Sequence, residues 1–280
     1  MKLRKVQKKA LSIKDKIFAE DCFNTMKIFS DNEVSMILTS PPYNTSRDAK
    51  TQKAKENSME KHMSRYDVYV DTGSHEDYIE WSQNLFNEFD RILCENGVVL
   101  YNINYGSDGD SVTCDNLIDT IHSISANTNF MVADIIVWKK NSALPNNTSC
   151  NKCTRIFEFI FVLCRKTENK TYISNKQIKS VSSVGQKYYT NMFNFIEAPN
   201  NDGSCKLNKA TYSSDLVFKL LEMYAGLQGG IVYDPFIGTG TTAVGVKLFN
   251  RKYNRNYSYV GSELSEDQVA YAEDRIRMFS

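Results

Sequence analysis

The chain has 280 residues, a formal net charge of +1 at pH 7, and 41% hydrophobic, 24% charged and 12% aromatic residues. This composition excludes a mostly disordered chain, because such chains lack the apolar residues that form a core. The longest apolar runs, such as Ile156 to Cys164, are interrupted by Glu158 and are far shorter than the roughly 20 residues of a membrane-spanning helix, so we expect no membrane association.

Hydrophobic periodicity and turn residues predict twelve elements. In chain order they are a helix over 21–29 capped by Asp21, a strand over 33–39, a helix over 75–93 closed by Asn96-Gly97, a strand over 98–102, a helix over 116–125, strands over 131–138 and 155–165, a helix over 213–224, a strand over 231–233, a helix over 243–249, a strand over 257–261 and a helix over 266–278. Strands that alternate with helices indicate an α/β fold with a mostly parallel twisted sheet and helices on both faces.

Three segments lack this periodicity. Residues 1–16 are rich in lysine without the apolar stretch of a signal peptide, so we predict a basic N-terminal arm before a single domain over 17–280. Within that domain, residues 44–71 form a predicted variable loop. Residues 166–201, rich in Ser, Asn, Lys and Tyr, are predicted to be an insertion outside the core sheet.

The seven cysteines are odd in number and widely spaced, which is typical of a reducing compartment, and we expect a cytoplasmic protein. Cys150 and Cys153 form one C-x-x-C pair, but no second pair follows at zinc-ribbon spacing. We therefore expect no metal site.

Charge is unevenly distributed along the chain. Arg47 to Arg65 and Lys139 to Lys170 are mostly basic, whereas Asp71 to Glu95 is mostly acidic. Such segregation favours one basic face that binds a polyanion such as nucleic acid.

The first candidate site is the loop around Gly238 and Gly240. It lies between a predicted strand and a predicted helix, where glycines let a ligand approach the backbone and a helix N-terminus offers N–H groups. Glu263, at the end of the next strand, is placed to accept hydrogen bonds from ribose hydroxyls, and Asp234 to accept one from an ammonium group or a water. The pattern indicates a nucleoside ligand without a pyrophosphate.

The second candidate site is Ser40-Pro41-Pro42-Tyr43. Two prolines remove two N–H donors, so carbonyls of this loop remain as acceptors beside the Ser40 hydroxyl and the Tyr43 ring. Such a pocket suits a planar heterocycle that carries an NH2 group.

These two segments carry a family resemblance. Ser40-Pro41-Pro42-Tyr43 resembles the [DNS]-P-P-[YF] catalytic motif of the DNA amino-methyltransferases. Asp234 to Thr242, D-P-F-I-G-T-G-T-T, resembles their D-P-F-x-G-x-G-T-T motif for S-adenosyl-L-methionine (AdoMet). The order of the two motifs is similar to that of the circularly permuted β group, of restriction-modification type. Lys209-Ala210-Thr211 departs from the His-Pro-Ala sequence common in the family.

The resemblance implies a Rossmann-like, AdoMet-dependent methyltransferase fold with double-stranded DNA as the substrate. It is compatible with a homodimer and with a restriction endonuclease that acts separately. It also implies that the protein is encoded by a bacterium, an archaeon or a phage. The catalytic residues that it implies are Ser40, Pro41, Pro42 and Tyr43. The cofactor-binding residues that it implies are Asp21, Cys22, Asp234, Phe236, Gly238, Gly240, Thr241, Thr242 and Glu263.

The expected chemistry is that of a poorly nucleophilic amine. The lone pair of an exocyclic base nitrogen is delocalised into the ring, and hydrogen bonds from its two hydrogens to Ser40 and a carbonyl near Pro41 would favour a free lone pair. The base must be flipped out of the duplex to reach such a pocket, where it would stack on Tyr43. Carbon-5 methylation needs a thiolate nucleophile, and none of the cysteines follows a proline as in that family.

Other interpretations account for less. A nicotinamide oxidoreductase would use only Gly238, Gly240 and Glu263, and a non-catalytic DNA-binding subunit only the basic segments. For the target base, Ser40 at the first motif position favours N4 of cytosine, and N6 of adenine remains the alternative.

Overall fold

The computed structural model describes residues 13–43, 74–103, 114–143, 145–147, 150–151, 153–203, 207–208 and 211–279. The strands are β1 (Lys16–Ala19), β2 (Val34–Thr39), β3 (Leu93–Ile103), β4 (Phe130–Lys140), β5 (Phe157–Arg165), β6 (Ile178–Val181), β7 (Lys187–Tyr189), β8 (Phe195–Ala198), β9 (Gly230–Asp234) and β10 (Tyr257–Glu263). The helices are α1 (Cys22–Met26), α2 (His75–Ile92), α3 (Cys114–Asn127), α4 (Ser214–Tyr224), α5 (Thr241–Tyr253) and α6 (Glu266–Arg277).

Within these residues, eight strands form one sheet in the order β1-β10-β9-β2-β3-β5-β4-β8. Strand β5 runs antiparallel to β3 and β4, whereas the other pairings in the sheet are parallel. The predicted α/β class with a mostly parallel sheet is confirmed.

Side chains of the central strands are buried on both faces of the sheet, as parallel strands covered by helices require. In β2, Met36 and Leu38 join the core cluster that includes residues of α4, α5 and α6. Val34 and Ile37 join the opposite cluster, which includes residues of α1, α2 and α3. Among the described elements, three helices therefore pack on each face of the sheet.

The predicted helix over 75–93 is found as α2, but its predicted closure by Asn96-Gly97 is wrong. Helix α2 ends at Ile92, because Leu93 is already extended (φ −71°, ψ 132°) and begins β3. Asn96 does have a positive φ of 59°, but it lies where the register between β2 and β3 shifts. The Asn-Gly pair thus forms an irregularity in β3. Such an irregularity favours residues that tolerate positive φ, as a helix C-terminus does.

The prediction that residues 166–201 lie outside the sheet is wrong for their last part. Strand β8 pairs in parallel with β4, although it is short and only alternate residues are buried. Strands β6 and β7 form a separate antiparallel hairpin whose residues are exposed.

The predicted arm and the loop over 44–71 fall largely on residues that are not described. Residues 1–12 and the whole of 44–71 lie outside the described residues, whereas Ile13 is buried and Lys16 begins β1. The division into an arm and one domain stays a prediction. None of the described helices combines the length and hydrophobicity that crossing a lipid bilayer requires.

Candidate active site

A pocket lies along the edge of the sheet where the parallel strands end. It brings the two candidate sites together, because parallel strands place their carboxyl ends at the same edge. The predicted site residues that line it are Asp21, Cys22, Ser40, Pro42, Tyr43, Phe236, Gly238, Thr241 and Glu263.

Four predicted site residues are buried and are not part of the pocket lining: Pro41, Asp234, Gly240 and Thr242. The sheet order divides the pocket into two ends. We name these ends after the roles that the family resemblance implies. The cofactor end is formed by residues that follow β1, β10 and β9, and the catalytic end by residues at the ends of β2, β3 and β4 and at the start of β5.

The carboxylate of Asp234 is fully engaged within the protein. Its Oδ1 accepts hydrogen bonds from Thr39 Oγ1 (2.7 Å) and the Phe236 N–H (3.0 Å), and its Oδ2 accepts from Tyr212 OH (2.9 Å) and Thr242 Oγ1. Burial raises the pKa of Asp234 above its ordinary value, against the lowering effect of these hydrogen bonds. Asp234 therefore ties the end of β2 to the loop after β9, which differs from the direct ligand contact that we expected of it.

The two glycines of the loop are required for different reasons. Gly238 has φ +52°, and a Cβ there would lie 3.0 Å from Asn208 Nδ2 and 4.0 Å from Glu263 Oε2, so its missing side chain leaves space in the pocket. Gly240 has φ +82°, and a Cβ there would lie 2.9 Å from Cβ of Ala272 in α6. The first glycine leaves space in the pocket, and the second lets α6 pack close to the loop.

Acidic side chains stand at the cofactor end. Asp21 caps α1 by accepting from the Phe23 N–H (2.8 Å), and Glu263 at the end of β10 accepts from the Ser265 N–H (2.9 Å) through Oε1. Burial, with a contribution from the charge of Asp21, raises the pKa of Cys22 to about 12. Cys22 thus remains a neutral thiol and lines the pocket as a small apolar group.

At the catalytic end, hydroxyl groups form a chain. The Ser40 Oγ and the Tyr43 OH are 2.8 Å apart, and Tyr43 OH donates to Glu158 Oε2 at 3.3 Å. The Pro42 carbonyl, expected to be open, accepts from Tyr78 OH at 2.7 Å. The protein itself therefore occupies one of the loop carbonyls.

Several pocket residues escaped the sequence interpretation. Asn102 near the end of β3 donates from Nδ2 to Glu158 Oε2 (3.1 Å), and Lys140 at the end of β4 forms an ion pair with Glu158 Oε1. Trp81 and Trp138 add aromatic walls. A charged residue that interrupts an apolar strand was the available signal for Glu158, and a polar residue at the end of a buried strand was the signal for Asn102.

The described residues contain no group of His, Cys, Asp and Glu side chains arranged to hold a metal ion. Cys150 and Cys153 are exposed free thiols.

Comparison with known proteins decides the family. A family model described as DNA methylase, of the N6/N4 methyltransferase type, matches residues 34–274. The chain belongs to this DNA methylase family. The resemblance drawn from the two sequence motifs is confirmed.

Individual relatives are distant. The type II methyltransferase M.MwoI of Methanothermobacter wolfeii is 26% identical over 246 residues, which are 84% of this chain but 30% of that protein. The chain thus spans about a third of that relative's length.

Two solved structures of DNA methylases share the fold. The cytosine-N4-specific PvuII DNA methyltransferase has a TM-score of 0.67 at 14% identity, covering 95% of this chain and 91% of the other. The DNA modification methylase TTHA0409 of Thermus thermophilus, solved in complex with S-adenosyl-L-methionine, has a TM-score of 0.59 at 15% identity, covering 94% and 93%.

Proposed function

We propose that this methylase transfers a methyl group from AdoMet to the exocyclic amine of a flipped base in double-stranded DNA, and that the base is cytosine, methylated at N4. The observation that carries the proposal is that Ser40 and Tyr43 line the same pocket as Gly238 and Glu263. A nicotinamide oxidoreductase would leave the Ser40 end of this pocket without a role.

The residues at the cofactor end fit AdoMet. Gly238 leaves space beside Glu263, whose carboxylate suits ribose hydroxyls, and Phe236 offers a ring that is in contact with Trp81 (centroids 5.6 Å apart). Asp21 and Cys22 line the same end and would face the adenine. AdoMet supplies an electrophilic methyl group bound to a sulfonium. The protein's contribution is to align the attacking nitrogen, an effect that reaches several kcal/mol in well-ordered sites.

The catalytic end suits an amine on a planar ring. Ser40 offers a hydroxyl oxygen, and Tyr43 offers an aromatic surface against which a flipped base can stack. The buried network of Asp234 holds this end in place, because Thr39 directly precedes Ser40 and is bonded to Asp234.

The choice of cytosine rests on Ser40. Serine at the first position of the catalytic motif is more common among cytosine-N4 enzymes, and the PvuII enzyme, which shares the fold, is cytosine-N4-specific by name. At 14% identity that likeness concerns the fold. Adenine N6 is the alternative target.

We place sequence recognition on residues 166–201, and in particular on the β6–β7 hairpin. The hairpin and its approach expose Lys176, Lys179 and Lys187 together with Tyr188 and Tyr189. Exposed lysines suit phosphates and exposed aromatic rings suit bases. A homodimer and a separate restriction endonuclease stay predictions.

Nucleoside analysis tests the proposal. The protein is incubated with AdoMet and duplex DNA, the DNA is digested, and the nucleosides are identified by mass spectrometry, with Ser40→Ala as the inactive control. N4-methylcytosine is the expected product. N6-methyladenine would overturn the target base alone, and the absence of any methylated nucleoside would overturn the activity.

A further inference from the structure

The side-chain oxygen of Asn102 is an unsatisfied acceptor in the pocket lining. The residue is 5% exposed, and among the residues that the structure describes its Oδ1 has no hydrogen-bond partner. Buried acceptors without a partner are uncommon because they have lost their hydrogen bonds to water. An unsatisfied acceptor that borders a ligand pocket indicates that the ligand brings the donor.

Glu158 determines which way the Asn102 amide points. A carboxylate can only accept hydrogen bonds, so the atom of Asn102 that faces Glu158 Oε2 at 3.1 Å must be the Nδ2 donor. The amide oxygen is then the atom of this pocket-lining residue that has no partner. Reversing the amide would place two acceptors against each other.

The same carboxylate determines the direction of the hydroxyl chain. Tyr43 OH lies 3.3 Å from Glu158 Oε2 and must donate to it, which leaves the Tyr43 oxygen to accept from the Ser40 hydroxyl 2.8 Å away. Ser40 therefore donates its only proton to Tyr43, and the remaining lone pairs of its Oγ are acceptors for a ligand.

The Lys140 ammonium compensates the charge of Glu158. Lys140 pairs with Oε1, the oxygen that neither Tyr43 nor Asn102 uses. The Glu158 side chain is 12% exposed, so a carboxylate at this position needs such a partner.

We propose that Glu158 is a positioning residue whose negative charge turns Asn102 Oδ1 and Ser40 Oγ into the two acceptors for the two hydrogens of the target amine. Asn102 takes the place that we expected for a carbonyl near Pro41, because the Pro42 carbonyl accepts from Tyr78 and Pro41 does not line the pocket. Asn102 is then a catalytic residue that contacts the amine directly. The inference rests on the proposed function, but it holds for cytosine and adenine alike, because both carry an exocyclic NH2 group.

A consequence for the product follows. In one methylation the nitrogen gains the methyl group and releases one proton to water, so the amine keeps one hydrogen and can satisfy one of the two acceptors. Dimethylation of the same nitrogen is therefore disfavoured, and only monomethylated nucleoside should accumulate.

Isosteric variants test the inference. Glu158→Gln lets the amide of Asn102 and the hydroxyl of Tyr43 reverse, and we expect single-turnover methylation to slow by about 100-fold, the size typical of losing one oriented hydrogen-bonding group at a reacting atom. AdoMet affinity and the KM for DNA should stay within about twofold. Glu222→Gln is the matched control, because Glu222 also pairs with a lysine, Lys252, but lies outside the pocket.

An exchange of donor and acceptor separates orientation from packing. Asn102→Asp alone places two carboxylates side by side and should be inactive. In the double variant, Asn102→Asp with Glu158→Gln, the new glutamine amide donates to one oxygen of the new aspartate, and the other aspartate oxygen is an acceptor toward the pocket. Methylation should therefore be at least about tenfold faster than in either single variant.

The outcomes are distinguishable. Recovery in the exchanged pair supports the positioning role. A pair no faster than the better single variant, wild-type turnover in Glu158→Gln, or a loss of AdoMet affinity in that variant would overturn it. A wild-type protein that methylates neither base would instead remove the proposed function on which the inference rests.

Discussion

Two carboxylates, Asp234 and Glu158, organise the residues around the pocket in different ways. Each accepts a hydrogen bond from a tyrosine hydroxyl, Tyr212 in one case and Tyr43 in the other. Asp234 is wholly buried and does not itself line the pocket, whereas Glu158 lines the pocket together with its partners, which include an amide with an unsatisfied oxygen. We call the hydrogen bonds of Asp234 the closed network and those of Glu158 the open network. The closed network fixes the positions of loops, and the open network offers acceptors to a ligand.

Removing the closed network should have the largest effect. Asp234→Ala leaves three hydroxyls and the Phe236 N–H without their acceptor, and we expect the free energy of unfolding to fall by about 3 kcal/mol. In Asp234→Asn the oxygen can still accept from Phe236 while the hydroxyls of Tyr212 and Thr242 rotate to accept from the amide, so the loss should stay near 1 kcal/mol. Urea denaturation measures both, and equal losses would mean that charge matters more than hydrogen bonding.

The pH dependence of stability, compared between the wild-type protein and Asp234→Asn, tests the same network further. Because the folded-state pKa of Asp234 is raised, the folded protein holds this proton more tightly than the unfolded chain does. Its contribution to stability is therefore complete below the ordinary pKa of an aspartate and declines as the pH rises through the raised value. The stability of the wild-type protein relative to Asp234→Asn should accordingly fall with rising pH over that window, and a flat difference would contradict the raised pKa.

The glycine loop should separate ligand binding from stability. Gly238→Val fills pocket space beside Asn208 and Glu263, and we expect AdoMet affinity measured by calorimetry to fall by tenfold or more, roughly 1.4 kcal/mol. Gly240→Ala brings a Cβ against Ala272 in α6 instead. We therefore expect this variant to lower the melting temperature, with a smaller effect on AdoMet affinity than that of Gly238→Val. If Gly240→Ala lowered AdoMet affinity and Gly238→Val did not, the cofactor would have to bind elsewhere.

Tyr43 tests the open network in two steps. Tyr43→Phe keeps the ring but removes the link between Ser40 and Glu158, and the methylation rate should fall about tenfold, the loss of roughly one hydrogen bond. Tyr43→Ala also removes base stacking, worth about 1 to 3 kcal/mol, which 2-aminopurine fluorescence should report as reduced base flipping. AdoMet affinity should be near that of the wild type in both, and a parallel loss of affinity would contradict the assignment of Tyr43 to the catalytic end.

The smallest effect should come from the surface. Replacing Lys176, Lys179 and Lys187 by Gln should weaken the salt dependence of DNA binding. The slope of the logarithm of the DNA association constant against the logarithm of the salt concentration should fall in magnitude by up to about 0.9 for each phosphate that is no longer bound. The methylated sequence should not change. The same exchange of Lys53, Lys55, Lys61 and Arg65, which lie outside the described residues, is the companion experiment. An altered target sequence with an unchanged slope would mean that the replaced residues read bases.

The sequence predicted the parts of the site that follow parallel strands. Ser40 and Gly238 could be assigned to one edge because both come directly after strands of a parallel sheet. Glu158 could not, since it lies near the start of β5, and a parallel β5 would place it at the opposite edge. Its position depends on the antiparallel direction of that strand, which periodicity does not reveal.

Other misses have equally specific causes. Strand β8 is four residues long, and its buried positions Ile196 and Ala198 alternate with exposed ones at the edge of the sheet. Tyr212 stands beside the segment that departs from the family pattern, and only the folded chain shows that its hydroxyl meets Asp234.

The hydrogen bond between Thr39 and Asp234 joins positions 195 residues apart in the chain. Strands β2 and β9 are neighbours in the sheet, yet they come from opposite ends of the sequence. Contacts of such long sequence separation form slowly, and on the ribosome the earlier partner must wait for the later one to be synthesised. The loop after β2 thus gains this support only once β9 has been synthesised, so a chain interrupted before Asp234 has no assembled pocket.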